Sequence, residues 1–198
     1  MAADYKELTA TLRCFYDFTS KIVLFVGPGG RQFLDPSIIT KKLIRIDRNV
    51  KNLGELKKNL TAKGMRDSVE VVGADFEDVT LSGDVVYFEF CLHEIIDPQK
   101  ALAHARALAP DVVVFDHLFG SDWAYYAAEE EKVRRSAEAM KRFGIRRRKT
   151  FRTAQRFKDH VELLAIVAEQ GPLAIQRVQI FAGSTNIAIP MTCELALL

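Results

Sequence analysis

Short runs of apolar, β-branched residues recur through the first part of the chain, at Ile22 to Val26, Leu43 to Ile46, Val69 to Val72, Val85 to Phe88 and Val112 to Phe115, each bounded by Gly, Pro or acidic residues. Unbroken apolar runs of this length suit strands buried on both faces, so the pattern predicts five parallel strands. Between them the period lengthens. Val50 to Lys63, closed by Gly64, and Pro98 to Leu108, opened by Asp97 and stopped before Pro110, read as helices. Strands alternating with helices predict an α/β fold, a doubly wound Rossmann-like sheet with helices on both faces.

The two ends of the chain follow other patterns. Tyr5 to Phe18 sets Leu8, Leu12, Phe15 and Tyr16 at helical spacing, predicting an amphipathic helix ahead of the first strand. Beyond the fifth strand, Ser121 is placed to cap a helix carrying Trp123, Tyr126, Ala127, Val133, Ala137 and Met140 on one face, with Gly144 past its end. Glu130/Arg134 and Glu131/Arg135 would support that helix at i,i+4. Thr153 to Gln170 reads as a further helix, with Phe157, Val161, Leu164 and Val167 inward and Gly171-Pro172 as its stop. Ile175 to Ala182 and Asn186 to Leu197 then read as strands joined by Gly183, Ser184 and Thr185, an antiparallel pair closing a mostly parallel sheet.

Composition narrows the class. With 48% hydrophobic residues, 198 residues can bury a core without staples. Cys14, Cys91 and Cys193 lie far apart and form no CxxC pair, which argues against a disulfide framework or a structural zinc site and for reduced thiols. The chain opens on acidic and polar residues, and no stretch approaches about 18 uninterrupted apolar positions, so we expect a soluble, cytoplasmic protein that does not engage a membrane. Net charge is +2, yet Lys132 to Lys158 holds twelve Lys or Arg against the single acid Glu138, so this stretch carries +11 and the remainder −9. A local basic field of that size attracts anions.

The candidate chemistry begins where the first strand runs into Gly27-Pro28-Gly29-Gly30, a turn that lets backbone approach a ligand closely. Asp47 ends the next strand, 20 residues after Gly27, where a carboxylate can accept both hydroxyls of a ribose. Asp75 and Phe76 follow the third strand, placed to bond and cover an adenine. Open α/β sheets bind ligands along that edge.

From Val26-Gly27-Pro28-Gly29-Gly30 to the fifth strand, the sequence resembles the class I S-adenosylmethionine-dependent methyltransferase family. Its strongest likeness is Leu92-His93-Glu94-Ile95-Ile96-Asp97-Pro98, with Ala101 and Leu102 beyond, similar to the Leu-His-x-Ile-x-Asp-Pro run that small-molecule members carry after the fourth strand. The resemblance implies S-adenosylmethionine as cofactor. It implies Gly27, Pro28 and Gly29 beside the methionine part, Asp47 and Arg48 at the ribose, Asp75 and Phe76 at the adenine, and backbone near Phe88 and Glu89 facing the sulfonium. The sequence departs from the family where Phe25 replaces the acid two residues before the first glycine and Arg31 replaces the third glycine. Pro36 interrupts Arg31 to Thr40, so a helix after the turn must be short or displaced.

On this reading residues 1–198 form one methyltransferase domain: an N-terminal helix over 1–20, a cofactor-binding core over 21–120, a basic helical insertion covering the substrate over 121–158, and a closing helix and strand pair over 159–198. Methyl transfer from a sulfonium needs mainly in-line positioning, helped by a general base where the acceptor must lose a proton. His93, Asp116 and His117 are the candidates for that role, and Trp123, Tyr126 and Arg147 for contact with a small anionic acceptor. No spacing selects a metal-ligand set. RNA or DNA methylation through the basic run is the second reading, and a noncatalytic cofactor-binding or interaction protein the third; a homodimer is a further candidate assembly. A nicotinamide dehydrogenase fits less well, because Gly27-Pro28-Gly29-Gly30-Arg31-Gln32 lacks the final glycine of GxGxxG.

Overall fold

The computed structural model describes residues 5–27, 38–48 and 69–198. Five strands fall where the apolar runs placed them: β1 (Ile22–Val26), β2 (Lys42–Ile46), β3 (Val69–Val72), β4 (Val85–Glu89) and β5 (Asp111–His117). They pair in parallel in the order β3-β2-β1-β4-β5. Reversal of the winding between β1 and β4 leaves a crevice at their carboxyl ends, where this architecture accepts ligands. The helix expected over Val50 to Lys63 lies outside the described residues.

Helices cover both faces. On one, α1 (Tyr5–Phe15) buries Leu8, Leu12 and Phe15 against Phe25, Tyr87, Val113 and Phe115, as its amphipathic spacing predicts. On the other, α2 (Pro98–Leu108) lays Ala101, Leu102 and Ala105 over Leu24, Val86, Val112 and Val114. Asp97 starts α2 by accepting from the Lys100 amide at 2.9 Å, with Pro98 at the first helical position. Removing each large apolar side chain from water contributes roughly 1.5–3 kcal/mol, so these two faces supply most of the driving force for folding.

The helix expected after Ser121 is divided into α3 (Asp122–Tyr126) and α4 (Glu130–Phe143). Ala128 between them adopts a left-handed conformation, φ +57°, and the turn brings Glu129 inside. The expected i,i+4 pairs are replaced as well: Arg134 binds Glu131 and Glu138, while Glu130 meets Arg177 at 2.6 Å. Ser136, rather than Ala137, takes the inward position.

Two long strands, β6 (Arg147–Asp159) and β7 (Thr185–Leu197), complete the sheet in the order β5-β7-β6, both pairings antiparallel. Leu197 lies beside Val113 and Cys193 beside His117, so Thr185 to Thr192 projects past the end of β5 as a ribbon with β6. The antiparallel closure was expected, but with other partners. Ile175 to Ala182 forms no strand; it continues α6 (Pro172–Arg177) into a 3-10 turn over Val178–Phe181. β6 occupies sequence assigned to the helical insertion and to a helix from Thr153. Its period is two: Gln155 and Phe157 are buried while Arg152, Arg156 and Lys158 are exposed. The helix α5 (His160–Val167) begins only at Asp159, whose carboxylate accepts from the Glu162 amide at 2.9 Å. β6 is an edge strand, and its arginines and lysines deter pairing with another chain. No helix among the described residues is long and apolar enough to cross a membrane.

Candidate active site

The turn after β1 is held by side chains from two neighbouring strands. Gly27 has φ +124°, and a Cβ there would lie 2.6 Å from the Glu89 carbonyl oxygen and 3.0 Å from Cys91 Sγ, so glycine alone fits. The Cys91 thiol donates to the Val26 carbonyl at 3.2 Å, and Arg45 donates to that of Gly27 at 3.0 Å. The Arg45 guanidinium, almost fully buried, lies 5.1 Å from the Phe25 ring centre and 3.8 Å from the Asp47 carboxylate. Phe25, standing where the family carries an acid, is thus the aromatic seat of a cation that fixes the glycine turn. Arg45 escaped the sequence reading, although a charge inside the run Leu43-Ile44-Arg45-Ile46 was its signal.

A cleft of about 630 Å³ opens at the carboxyl ends of β1 to β4, lined by Gly27, Asp47 and Arg48, by Ala74 to Asp78, and by Phe90, Cys91 and Glu94 to Ile96. That volume holds a small organic molecule. Asp47, Asp75, Glu77, Asp78 and Glu94 give the wall five carboxylates, and Arg48, 3.7 Å from Asp75, is the single base among the described lining residues. Arg45, Lys100 and Lys132, which pair with Asp47, Glu77 and Glu94, stand outside the lining. With Arg48 they balance four of the five acids, so the wall offers carboxylate acceptors to hydroxyl and amino donors without a large net charge. Phe76 reaches the cleft, but its ring is buried edge-on against Phe88 at 5.2 Å and His104 at 5.1 Å. Phe88 and Glu89 are buried beneath the wall, which Phe90 and Cys91 line in their place. Pro28 and Gly29 lie outside the described residues.

His93, Asp116 and His117 converge beside this cleft. His93 sits in a 3-10 turn, Leu92–Glu94, just after β4; Asp116 and His117 end the adjacent β5. The fully buried Asp116 carboxylate accepts from the backbone amides of His93 at 3.1 Å and His117 at 2.8 Å, and lies 2.5 Å from His93 Nδ1. His93 Nε2 faces Glu94 at 3.5 Å and Glu129 at 3.8 Å. The His117 ring is 5.2 Å from that of His93, and its buried Nδ1 meets no hydrogen-bond partner among the described residues.

Environment drives the two imidazoles apart. Burial opposes charge on His93, yet Asp116, by charge and hydrogen bond, then Glu94 and Glu129, outweigh it and push its pKa up to about 10. His117 falls to about 4 through burial, reinforced by the charge on His93. Burial, with Glu94 nearby, raises Glu129 to about 7, whereas the His93 hydrogen bond and then Lys132 hold Glu94 down at about 2. Glu129 also escaped the sequence reading, because one acid of the run Glu129-Glu130-Glu131 looks like its neighbours until the break at Ala128 turns it inward.

The expected substrate contacts lie elsewhere. Trp123 is buried and stacked on Phe157 at 5.7 Å, and Tyr126 packs between Tyr125 and Phe181. Arg147 caps the end of α1, binding the Phe15 carbonyl with its guanidinium 4.5 Å from the Phe15 ring centre. β6 runs alongside β7 with Arg147 opposite Leu197, which places Arg146 to Arg148 at the amino end of β5, away from the cleft, whereas Lys132 at the head of the basic run binds Glu94 of the cleft wall and Arg152, Arg156 and Lys158 lie past the carboxyl end of β5. The basic run is divided between α4 and the edge strand β6 and does not form one helical insertion.

No protein-family model matches the sequence, and no curated protein matches it. Solved structures do match the fold. The YcgJ protein of Bacillus subtilis superposes with TM-score 0.67 at 10% identity, over 97% of this chain and 96% of that one. A SAM-dependent methyltransferase from Aquifex aeolicus gives TM-score 0.57 at 16% identity, over 98% and 89%. The [4+2]-cyclase SpnF gives 0.60 at 12%, over 96% and 80%. The chain has the fold of the class I S-adenosylmethionine-dependent methyltransferases.

Proposed function

We propose that the cleft binds S-adenosylmethionine and that the protein transfers its methyl group to a small acceptor held beside His93 and His117. The observation carrying this reading is the acidic wall at the carboxyl ends of β1 to β4, with Asp47 at the end of β2. A ligand with ribose hydroxyls and an amino group suits such a row of acceptors. Asp47 accepts the ribose hydroxyls, and Asp75 accepts from the adenine amino group above Phe76. Arg45 and Cys91 keep the glycine turn in place for close approach of the methionine part. The bound cofactor supplies a methyl group already activated on a sulfonium, so the chain's work is to align the acceptor and exclude water. Asp116 fixes the His93 ring, and Glu94, shared by the cleft wall and the histidine cluster, joins the two halves of the site. Arg48 and Lys132 are each paired with a carboxylate of the cleft wall, so the acceptor is read as a small molecule without a charge class.

Calorimetric titration with S-adenosylmethionine, S-adenosylhomocysteine and NADH tests the reading. Binding of both adenosyl ligands, lost in Asp47→Ala while NADH does not bind, is the expected result. Folded protein that ignores the adenosyl ligands, or takes NADH instead, overturns it.

A further inference from the structure

His93, His117 and Glu129 bring one nitrogen or oxygen ligand atom each to within 4.8 Å of one another, and all three residues are buried. They arrive from elements distant in sequence: the turn after β4, the end of β5 and the left-handed break before α4. Three features separate this cluster from an ordinary buried hydrogen-bond network. His117 Nδ1 is buried, a lone pair or proton with no hydrogen-bond partner among the described residues. His93 is held by Asp116 at Nδ1 while its Nε2 is aimed at two carboxylates, 3.5 Å and 3.8 Å away, which is how an outer carboxylate orients a metal-binding imidazole. Finally, Asp116, Glu94 and Glu129 set three carboxylates around two imidazoles, with Lys132 on the outer side of Glu94 at 2.9 Å.

We propose that His93 Nε2, His117 and Glu129, joined by Glu94 from the cleft wall, bind one divalent transition-metal ion. Ligands about 2.1 Å from a metal in tetrahedral array lie about 3.4 Å apart, close to the spacing around His93 Nε2; the widest separation, at most 4.8 Å, closes by up to about 1.4 Å as the ion enters. Two imidazoles with one or two carboxylates suit zinc, iron(II), cobalt or manganese rather than calcium or magnesium. Glu94 lines the cleft, so the ion lies at its inner end, placed to take an oxygen of the acceptor and ease loss of its proton. That role rests on the methyl-transfer reading; the binding site does not.

The test uses tag-free protein stripped with chelator and titrated with Co(II), followed by the visible absorption of the bound ion, with elemental analysis after Zn(II) loading and desalting. One equivalent per chain is expected, at least tenfold weaker in His117→Ala and in Glu129→Gln, and unchanged in Asp47→Ala. The absence of saturable Co(II) and Zn(II) binding in folded wild-type protein overturns the proposal, as does binding that both folded cluster variants leave unaltered. If either variant does not fold, the wild-type titration still decides whether the site exists. Saturable Co(II) binding by protein that ignores adenosyl ligands supports the metal site while overturning the methyl-transfer reading.

Discussion

At the carboxyl ends of β1 to β4, Asp47, Asp75, Glu77, Asp78 and Glu94 face one shared cleft, whereas near the amino end of β5 three consecutive arginines are drawn to separate places. Arg146 binds Asp111 at 2.6 Å and the Leu198 carbonyl, Arg147 the end of α1, and Arg148 the buried Glu194 at 2.6 Å. The arginine triplet is by far the denser in sequence, yet its charges tie down the chain terminus, a helix end and one buried acid. The acids are scattered over the sequence and converge. A charge contributes to a binding site when the fold points it into a space shared with others, and local density does not measure that.

The comparison is tested most severely by Asp116→Ala. It removes the acceptor of two backbone amides and the partner of His93 at a fully buried position, and should cost about 4 kcal/mol in urea unfolding. Gly27→Ala should follow at about 3 kcal/mol by thermal unfolding, since it adds left-handed strain to a contact with the Glu89 carbonyl. In the cleft, Asp47→Ala should weaken S-adenosylhomocysteine about thirtyfold by calorimetry, the loss of a charge-assisted hydrogen bond.

At the basic end the effects should be smaller and should spare ligand binding. Arg148→Ala leaves Glu194 without its ion pair and should cost about 1.5 kcal/mol at neutral pH. Burial already holds the Glu194 carboxyl above its ordinary pKa, against the pull of Arg148. A folded-state carboxyl raised in this way retains its proton longer than the unfolded chain, so its penalty grows as pH rises. Denaturation of the variant should therefore show the deficit shrinking as pH falls through the raised range towards the ordinary glutamate value, and gone below it. Arg134→Ala, which breaks only exposed pairs on α4, should change stability by less than about 0.5 kcal/mol. Loss of adenosyl binding in Arg148→Ala would erase the distinction between the two ends.

The five parallel strands, α1, α2 and the positions of Asp47, Asp75, His93, Asp116 and His117 on the ligand-binding edge were legible in the sequence. Strands buried on both faces leave continuous apolar runs, caps leave Asp-Pro and Gly, and an open parallel sheet has one ligand edge. β6 was not legible as a strand because, of its inward positions Phe151, Thr153, Gln155 and Phe157, only two are apolar, and they alternate with basic residues that a helix reading absorbs equally well. Only β7 beside it supplies the pairing.

The amino-acid order by itself determined the local elements and the acids at the strand ends, because periodicity, caps and strand termini are properties of neighbouring residues. Tertiary structure alone decided that Arg45 braces the glycine turn, that Glu129 turns inward to a histidine after β4 and one ending β5, and that Arg146 to Arg148 lie at the amino end of β5. Those outcomes depend on which strands become neighbours and where a side chain loses its water, and distance along the chain encodes neither.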